Sequence, residues 1–204
     1  MKKDATSIDP VRDIIFSSQV TVIAGRPGMG KTALACDLIS QCGNSYMPVY
    51  ITHHEPPDSI MQRLSARGNV PCTIFNWLGD AMDSIIDGIV SNPFVVFDFL
   101  PYEESDQYSG LLNDFKALAI ELNFPILLIL PLPRTVDARD NKRPLLSDLP
   151  MKNSMEFIDN VILLYREDYY TGEATGTAEA IIVKSPSGET MISLSWDVDR
   201  ATFL

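Results

Sequence analysis

Gly25-Arg26-Pro27-Gly28-Met29-Gly30-Lys31-Thr32 fits G-x-x-x-x-G-K-[ST] at every fixed position. The residues before it, Val20-Thr21-Val22-Ile23-Ala24, are apolar and β-branched and read as a strand; those from Lys31 to about Cys42 read as a helix. Strand, loop and helix in that order are what the motif needs. Glycines let backbone N–H groups turn inward around a β-phosphate, and the helix N-terminus adds positive potential. Lys31 would reach the β/γ-phosphates and Thr32 would offer its hydroxyl to Mg²⁺. Gly25, Arg26, Pro27, Gly28, Met29, Gly30, Lys31 and Thr32, with Ala33 behind them, are the candidate nucleotide-binding residues.

Outward from the loop, apolar strand-like runs alternate with helix-like stretches, the pattern of an α/β protein with a largely parallel sheet. Val49 to Thr52 reads as the next strand, and Asp58 to Arg67, after Pro56-Pro57, as a helix with Asp58 at its N-cap. Asp80 to Val90 is amphipathic, and from Ser109 to Asn123 the residues Leu111, Leu112, Phe115, Leu118, Ala119 and Leu122 form one apolar stripe. Ile126 to Leu130 is wholly apolar, as a central strand buried on both faces should be. Residues 131–152 carry four prolines and no clear period and read as a long loop. Three late runs close the chain, the last two joined by Ser185-Pro186-Ser187-Gly188-Glu189 in a C-terminal β-hairpin.

Phosphoryl transfer also needs an acid to hold the magnesium shell, and Phe94-Val95-Val96-Phe97-Asp98 ends a buried-looking run in one. Asp98 is the candidate, acting on the metal through water. Hydrolysis further needs a group to orient or deprotonate water. Glu55, just past the strand Val49 to Thr52, could face the γ-phosphate across the crevice where such sheets bind ligands, or be a solvated loop acid. His53 and His54 complete no metal set, since the chain has no further histidine, and read as structural or as partners of Glu55.

A chain of 204 residues with 46% hydrophobic and 21% charged residues is neither disordered nor fibrous. We read residues 1–19 as a short N-terminal extension and 20–204 as one domain. Its net charge of −11 argues against a surface that coats nucleic acid or an anionic membrane. No apolar run approaches the ~18 to 20 residues of a membrane span, and no signal peptide follows Met1-Lys2-Lys3, so the expectation is a cytoplasmic protein without membrane contact. Cys36, Cys42 and Cys72 lack C-x-x-C spacing and read as reduced thiols.

These residues resemble one family, the RecA-like C-terminal ATPase domain of DnaB-type replicative DNA helicases. Gly25 to Thr32 is similar to that family's A-R-P-S-M-G-K-T loop. Thr52-His53-His54-Glu55-Pro56 falls where it has S-L-E-M-P, and Asp98-Phe99-Leu100 where it has D-Y-L. Phe115 to Pro125, Lys142-Arg143-Pro144 with Ser147-Asp148-Leu149, and Tyr165 to Tyr170 resemble further segments in the right order. The resemblance implies a RecA-like P-loop NTPase fold and ATP with Mg²⁺ as cofactors. It also implies Glu55 as the catalytic glutamate beside Lys31, and Arg166 among the nucleotide-binding residues.

The departures from the family are as informative. Its γ-phosphate-sensing glutamine is Pro131 here, and its arginine finger is Pro186, although Lys184 keeps one cation. Such a finger is worth ~10³ to 10⁵ in rate where measured. Residues 1–19 are too few for the family's N-terminal domain. Asp80 to Asp114 holds eight acids and no Lys or Arg, whereas Arg134 to Lys152 holds five basic residues against three acids. Single-stranded DNA would therefore be gripped through the 134–152 loop. Two readings stand. One is a core-only helicase-like ATPase, forming a homo-oligomeric ring and hydrolysing slowly. The other is a non-motor module that docks on a replicative helicase or another replication protein as loader, regulator or inhibitor.

Overall fold

The protein's computed structural model describes residues 7–53, 55–68, 70–98 and 106–204. Strand β1 (Val20–Gly25) is buried at all six positions. It pairs in parallel with β5 (Ile126–Pro131) on one side and β6 (Asn160–Tyr165) on the other. Beyond β5 lie β4 (Pro93–Asp98), β2 (Met47–Thr52) and β3 (Thr73–Phe75), all parallel. Beyond β6 come three antiparallel strands, β7 (Thr177–Lys184), β8 (Thr190–Asp197) and β9 (Thr202–Phe203). The sheet order is β3-β2-β4-β5-β1-β6-β7-β8-β9. This is the expected α/β architecture, with β5 central and with the C-terminal hairpin formed by β7 and β8.

Alternation along β1 explains how one strand serves two cores. Val20, Val22 and Ala24 face a cluster with Leu112, Phe115 and Ala119 of α5 (Asp106–Glu121) and Ala81 and Ile85 of α4 (Leu78–Ile86). Ile23 faces the opposite cluster, with Leu34 and Leu38 of α2 (Lys31–Gln41) and Ile60 and Leu64 of α3 (Pro57–Ser65). Helices thus cover both faces, and the parallel strands need not alternate apolar with polar.

The stretch expected to be a mere extension contains a helix, α1 (Asp9–Phe16), and Ile8, Val11 and Ile15, all fully buried, pack into the α2 side. Asp58 does not cap α3: Pro56 holds that position, and Asp58 lies in the first turn. Leu122 falls beyond α5 and is 43% exposed, so the apolar stripe ends at Ala119. The long segment after β5 is not featureless. It makes 3-10 turns at Arg134–Ala138, Leu146–Asp148 and Lys152–Phe157. His54, Phe99 and Leu100 lie outside the described residues. No helix among those described is long and apolar enough to cross a membrane.

The register brings the C-terminal ends of the strands together. Gly25 lies opposite Pro131, and Thr52 opposite Asp98. Ligands of open parallel sheets bind at that edge.

Candidate nucleotide-binding site

The loop leaves β1 at Gly25 and enters α2 at Lys31. Gly28 and Gly30 take φ values of 84° and 95°, a left-handed backbone that a β-carbon disfavours. Each is also crowded, since a Cβ on Gly28 would come within 2.8 Å of the Tyr169 ring and one on Gly30 within 3.1 Å of Phe203. The Lys31 ammonium folds back over the loop and donates to the Arg26 carbonyl at 3.2 Å. Burial pulls its pKa down to about 8, with the Asp98 carboxylate opposing the shift and Arg26 adding to it.

Thr32 Oγ1 donates to Asp98 Oδ2 at 3.2 Å, and the Tyr50 hydroxyl donates to the same oxygen at 2.9 Å. Burial, reinforced by the Asp98 charge, raises the Tyr50 phenol well above its ordinary pKa, so it remains a donor. A hydroxyl from the first turn of α2 and a carboxylate from the end of β4 make a pair of hard oxygen donors beside an ammonium. That set fits Mg²⁺ carried in with a nucleotide.

A cleft of about 390 Å³ opens above this group. Gly28, Gly30, Lys31, Thr32 and Ala33 form its floor, and its walls include Glu55, Arg63, Arg166 and Trp196. The Glu55 carboxylate is gripped by Arg63 of α3. Nε reaches Oε2 at 3.1 Å and Nη2 reaches Oε1 at 3.3 Å. The Thr52 hydroxyl accepts from Glu55 N at 3.2 Å and donates to Glu55 O at 2.9 Å, fixing the turn after β2. His53 packs edge-on against Phe97 with ring centroids 5.8 Å apart, a structural placement.

Arg166 also lines the cleft, but it is held from three sides. Asp168 takes it in a bidentate pair at 3.0 Å, the Gly28 carbonyl accepts from Nη1 at 3.1 Å, and the Trp196 ring lies 4.2 Å from the guanidinium carbon. Arg26 turns away from the cleft. It pairs with Asp137 and donates to the Leu132 carbonyl at 2.7 Å, and Tyr170 also bonds Asp137 at 2.8 Å. Met29 is buried, its sulfur facing the Arg166 amide, while Pro27 is exposed at the tip of the turn. Lys31, Thr32 and Asp98 therefore converge, Glu55 and Arg166 flank them, and Gly25, Arg26, Pro27 and Met29 shape the loop from outside the cleft. Tyr50, Arg63 and Trp196 are not legible in the sequence as site residues. Trp196 joins the site from far along the chain, while Tyr50 and Arg63 come from the strand and helix that flank Glu55, where a strand tyrosine and a helix arginine carry no motif of their own.

Residues 101–204 match the family model of the DnaB-like helicase C-terminal domain. The chain belongs to this family. The replicative DNA helicase DnaB of Geobacillus stearothermophilus is 26% identical over 232 aligned positions, covering 90% of this chain and 51% of that protein. A probable plasmid replicative DNA helicase of Chlamydia psittaci is 27% identical, covering 90% and 50%. This DnaB-type chain thus spans about half the length of the relatives it matches. Among solved structures, one described as an ATPase domain superposes with a TM-score of 0.79 at 23% identity, covering 93% of this chain and 85% of that one. A DnaB-like replicative helicase described with its primase interactions gives 0.80 at 21%, covering 93% and 58%. The fold is RecA-like, as the loop resemblance implied.

Lys184 ends β7, and its ammonium donates to the carbonyls of Met155 and Ile158, both at 2.5 Å. It is turned into its own domain rather than outward. In the 134–152 loop, Arg139 is bidentate to Asp148 and Arg143 is bidentate to Glu179. Lys142 donates to the carbonyls of Asp137 and Arg139.

Proposed function

We propose that this DnaB-type domain binds ATP with Mg²⁺ in the cleft above Gly28 to Thr32, hydrolyses it slowly, and serves DNA replication as a helicase-like ATPase. The observation that carries this reading is the convergence of the Lys31 ammonium, the Thr32 hydroxyl and the Asp98 carboxylate at the ends of neighbouring parallel strands. Lys31 would bind the β/γ-phosphates, and Thr32 and Asp98 would hold the magnesium shell, Asp98 through water. When bound, the metal would neutralise charge developing on the phosphates. Glu55 would orient the water whose oxygen attacks the third phosphorus. The bond to the ADP oxygen breaks with its electron pair leaving on ADP, and the water proton passes to the Glu55 carboxylate. Slow turnover follows from Pro131 and Pro186 and from the inward-turned Lys184.

The test is nucleotide binding and turnover with three variants. Lys31→Ala should abolish binding or turnover, Asp98→Asn should weaken Mg²⁺-dependent binding, and Glu55→Gln should spare binding and stop turnover. Normal turnover by Glu55→Gln would remove the catalytic assignment.

The second reading, a non-motor module that occupies one side of a replicative-helicase interface, has its own observation. Three of the five loop cations that would grip DNA, Arg139, Lys142 and Arg143, and also Lys184, are engaged by intramolecular partners. Solution mass and turnover, with and without single-stranded DNA, separate the two. A hexamer with DNA-stimulated turnover supports the motor, and a monomer indifferent to DNA supports the module.

A further inference from the structure

Three cationic side chains line the cleft, and their partners differ in kind. Arg166 is fixed by a nearly buried carboxylate, with side-chain exposures of 10% and 6% across the pair. Lys31 rests on a backbone carbonyl, a contact an anion can replace at little cost. Arg63 holds the candidate catalytic carboxylate itself, and that pair remains partly open to solvent, at 40% and 30% exposure.

A nucleoside triphosphate entering above Lys31 brings its terminal phosphate towards Glu55, and two like charges would then share one wall of the cleft. A diphosphate ends one phosphate short and meets the conflict less. Arg63 is placed to offset it, because a guanidinium is a planar fork of five donors. The pair with Glu55 uses Nε and Nη2, leaving Nη1 outside it. A fork of this kind can keep a carboxylate on one edge and serve phosphate oxygens from another, which a lysine cannot do in the same plane. Arg63 also has a firm base: its own carbonyl accepts from Arg67 Nη1 at 2.9 Å, and Arg67 is anchored by buried Asp37.

We infer that Arg63 is a cation acting within its own subunit's site, recognising the third phosphate of the bound nucleotide while it positions Glu55, so that the site distinguishes triphosphate from diphosphate without an arginine from a neighbour. The inference rests on the ATP reading of the cleft and deepens it. Arg63 bridges rather than releases Glu55, and the carboxylate keeps one oriented edge for water while the phosphate takes the guanidinium's other edge.

The experiment compares binding of a non-hydrolysable ATP analogue and of ADP, both with Mg²⁺, by calorimetry on the full chain. Arg63→Ala should weaken the analogue roughly tenfold or more, the scale of one charge-assisted hydrogen bond, while ADP stays within about twofold. Arg63→Lys should recover part of the loss, and it carries the same test if Arg63→Ala does not fold. A merely structural ion pair predicts equal effects on both nucleotides, or none, and either result overturns the inference. Wild-type protein that binds neither nucleotide ends the ATP reading and this inference together. Wild-type protein that binds both, with an analogue-to-ADP ratio unmoved by Arg63→Ala, ends the inference alone.

Discussion

Lys31 is the residue where sequence and environment are most tightly joined. The motif marks it, but only the fold supplies the burial that lowers its pKa to about 8. Without nucleotide the ammonium loses its proton as pH rises through that value, while a bound polyphosphate favours the charged form, so ATP affinity should fall between pH 7 and pH 9. Binding near pH 8 should take up protons. Calorimetry in two buffers of different ionisation heat reads that uptake directly, and Lys31→Arg should flatten the dependence, since a guanidinium stays charged. Asp98 is legible for a similar reason to Lys31, as an acid at the end of an apolar run. Tyr50 is not, although it bonds the same carboxylate oxygen as Thr32. A tyrosine inside a strand reads as core, and its hydroxyl acquires a role only when β2 is laid beside β4. At Gly28 a side chain meets both a left-handed backbone and the Tyr169 ring. The methyl of Gly28→Ala, 2.8 Å from the Tyr169 ring at φ 84°, must displace the ring or the loop. Nucleotide affinity should drop while global unfolding changes by only about 1 kcal/mol.

Among the elements, β9 is the one whose placement is least obvious from its two residues. Asp37 of α2 accepts from the Phe203 amide at 2.7 Å and pairs with Arg67, whose Nη2 donates to the Ala201 carbonyl at 2.7 Å. Both ionic side chains are nearly buried, at 7% and 6% exposure. Asp37→Ala would strand the Arg67 charge, so a loss of about 3–5 kcal/mol is expected in urea unfolding. Asp37→Ala with Arg67→Met should recover part of that loss, because no buried charge is then left unpaired. The larger strands are readable because parallel strands covered on both faces are simply apolar. Helix α1 is not, although Val11 and Ile15 recur at helical spacing after Ile8, because an eight-residue helix carries too few periods to stand out. Asp58 misleads for a reason of backbone chemistry: Pro57 takes the first helical position, so the cap falls two residues earlier, at Pro56.

At the scale of the whole molecule, the charge of −11 and the internal pairing of three of the five loop cations, Arg139, Lys142 and Arg143, point the same way. Affinity for a single-stranded oligonucleotide should be weak and its salt slope shallow, since few phosphates can be neutralised by cations already bonded at home. Fluorescence anisotropy over a salt series measures both, and a steep slope would show that Arg139, Lys142 and Arg143 exchange their partners for DNA. The sequence can count those cations but not reveal what they hold, because Glu179 lies far along the chain from Arg143. Strand order has a different consequence, one of timing. β1 emerges before both of its neighbours, β5 and β6, so the strand that carries the phosphate loop has no partner until Pro131 has left the ribosome, and lacks its second until Tyr165 has. The nascent chain must hold an apolar strand unpaired while everything between Gly25 and Ile126 is made. The cleft gains its Arg166 wall only when the last parallel strand, β6, closes on the first.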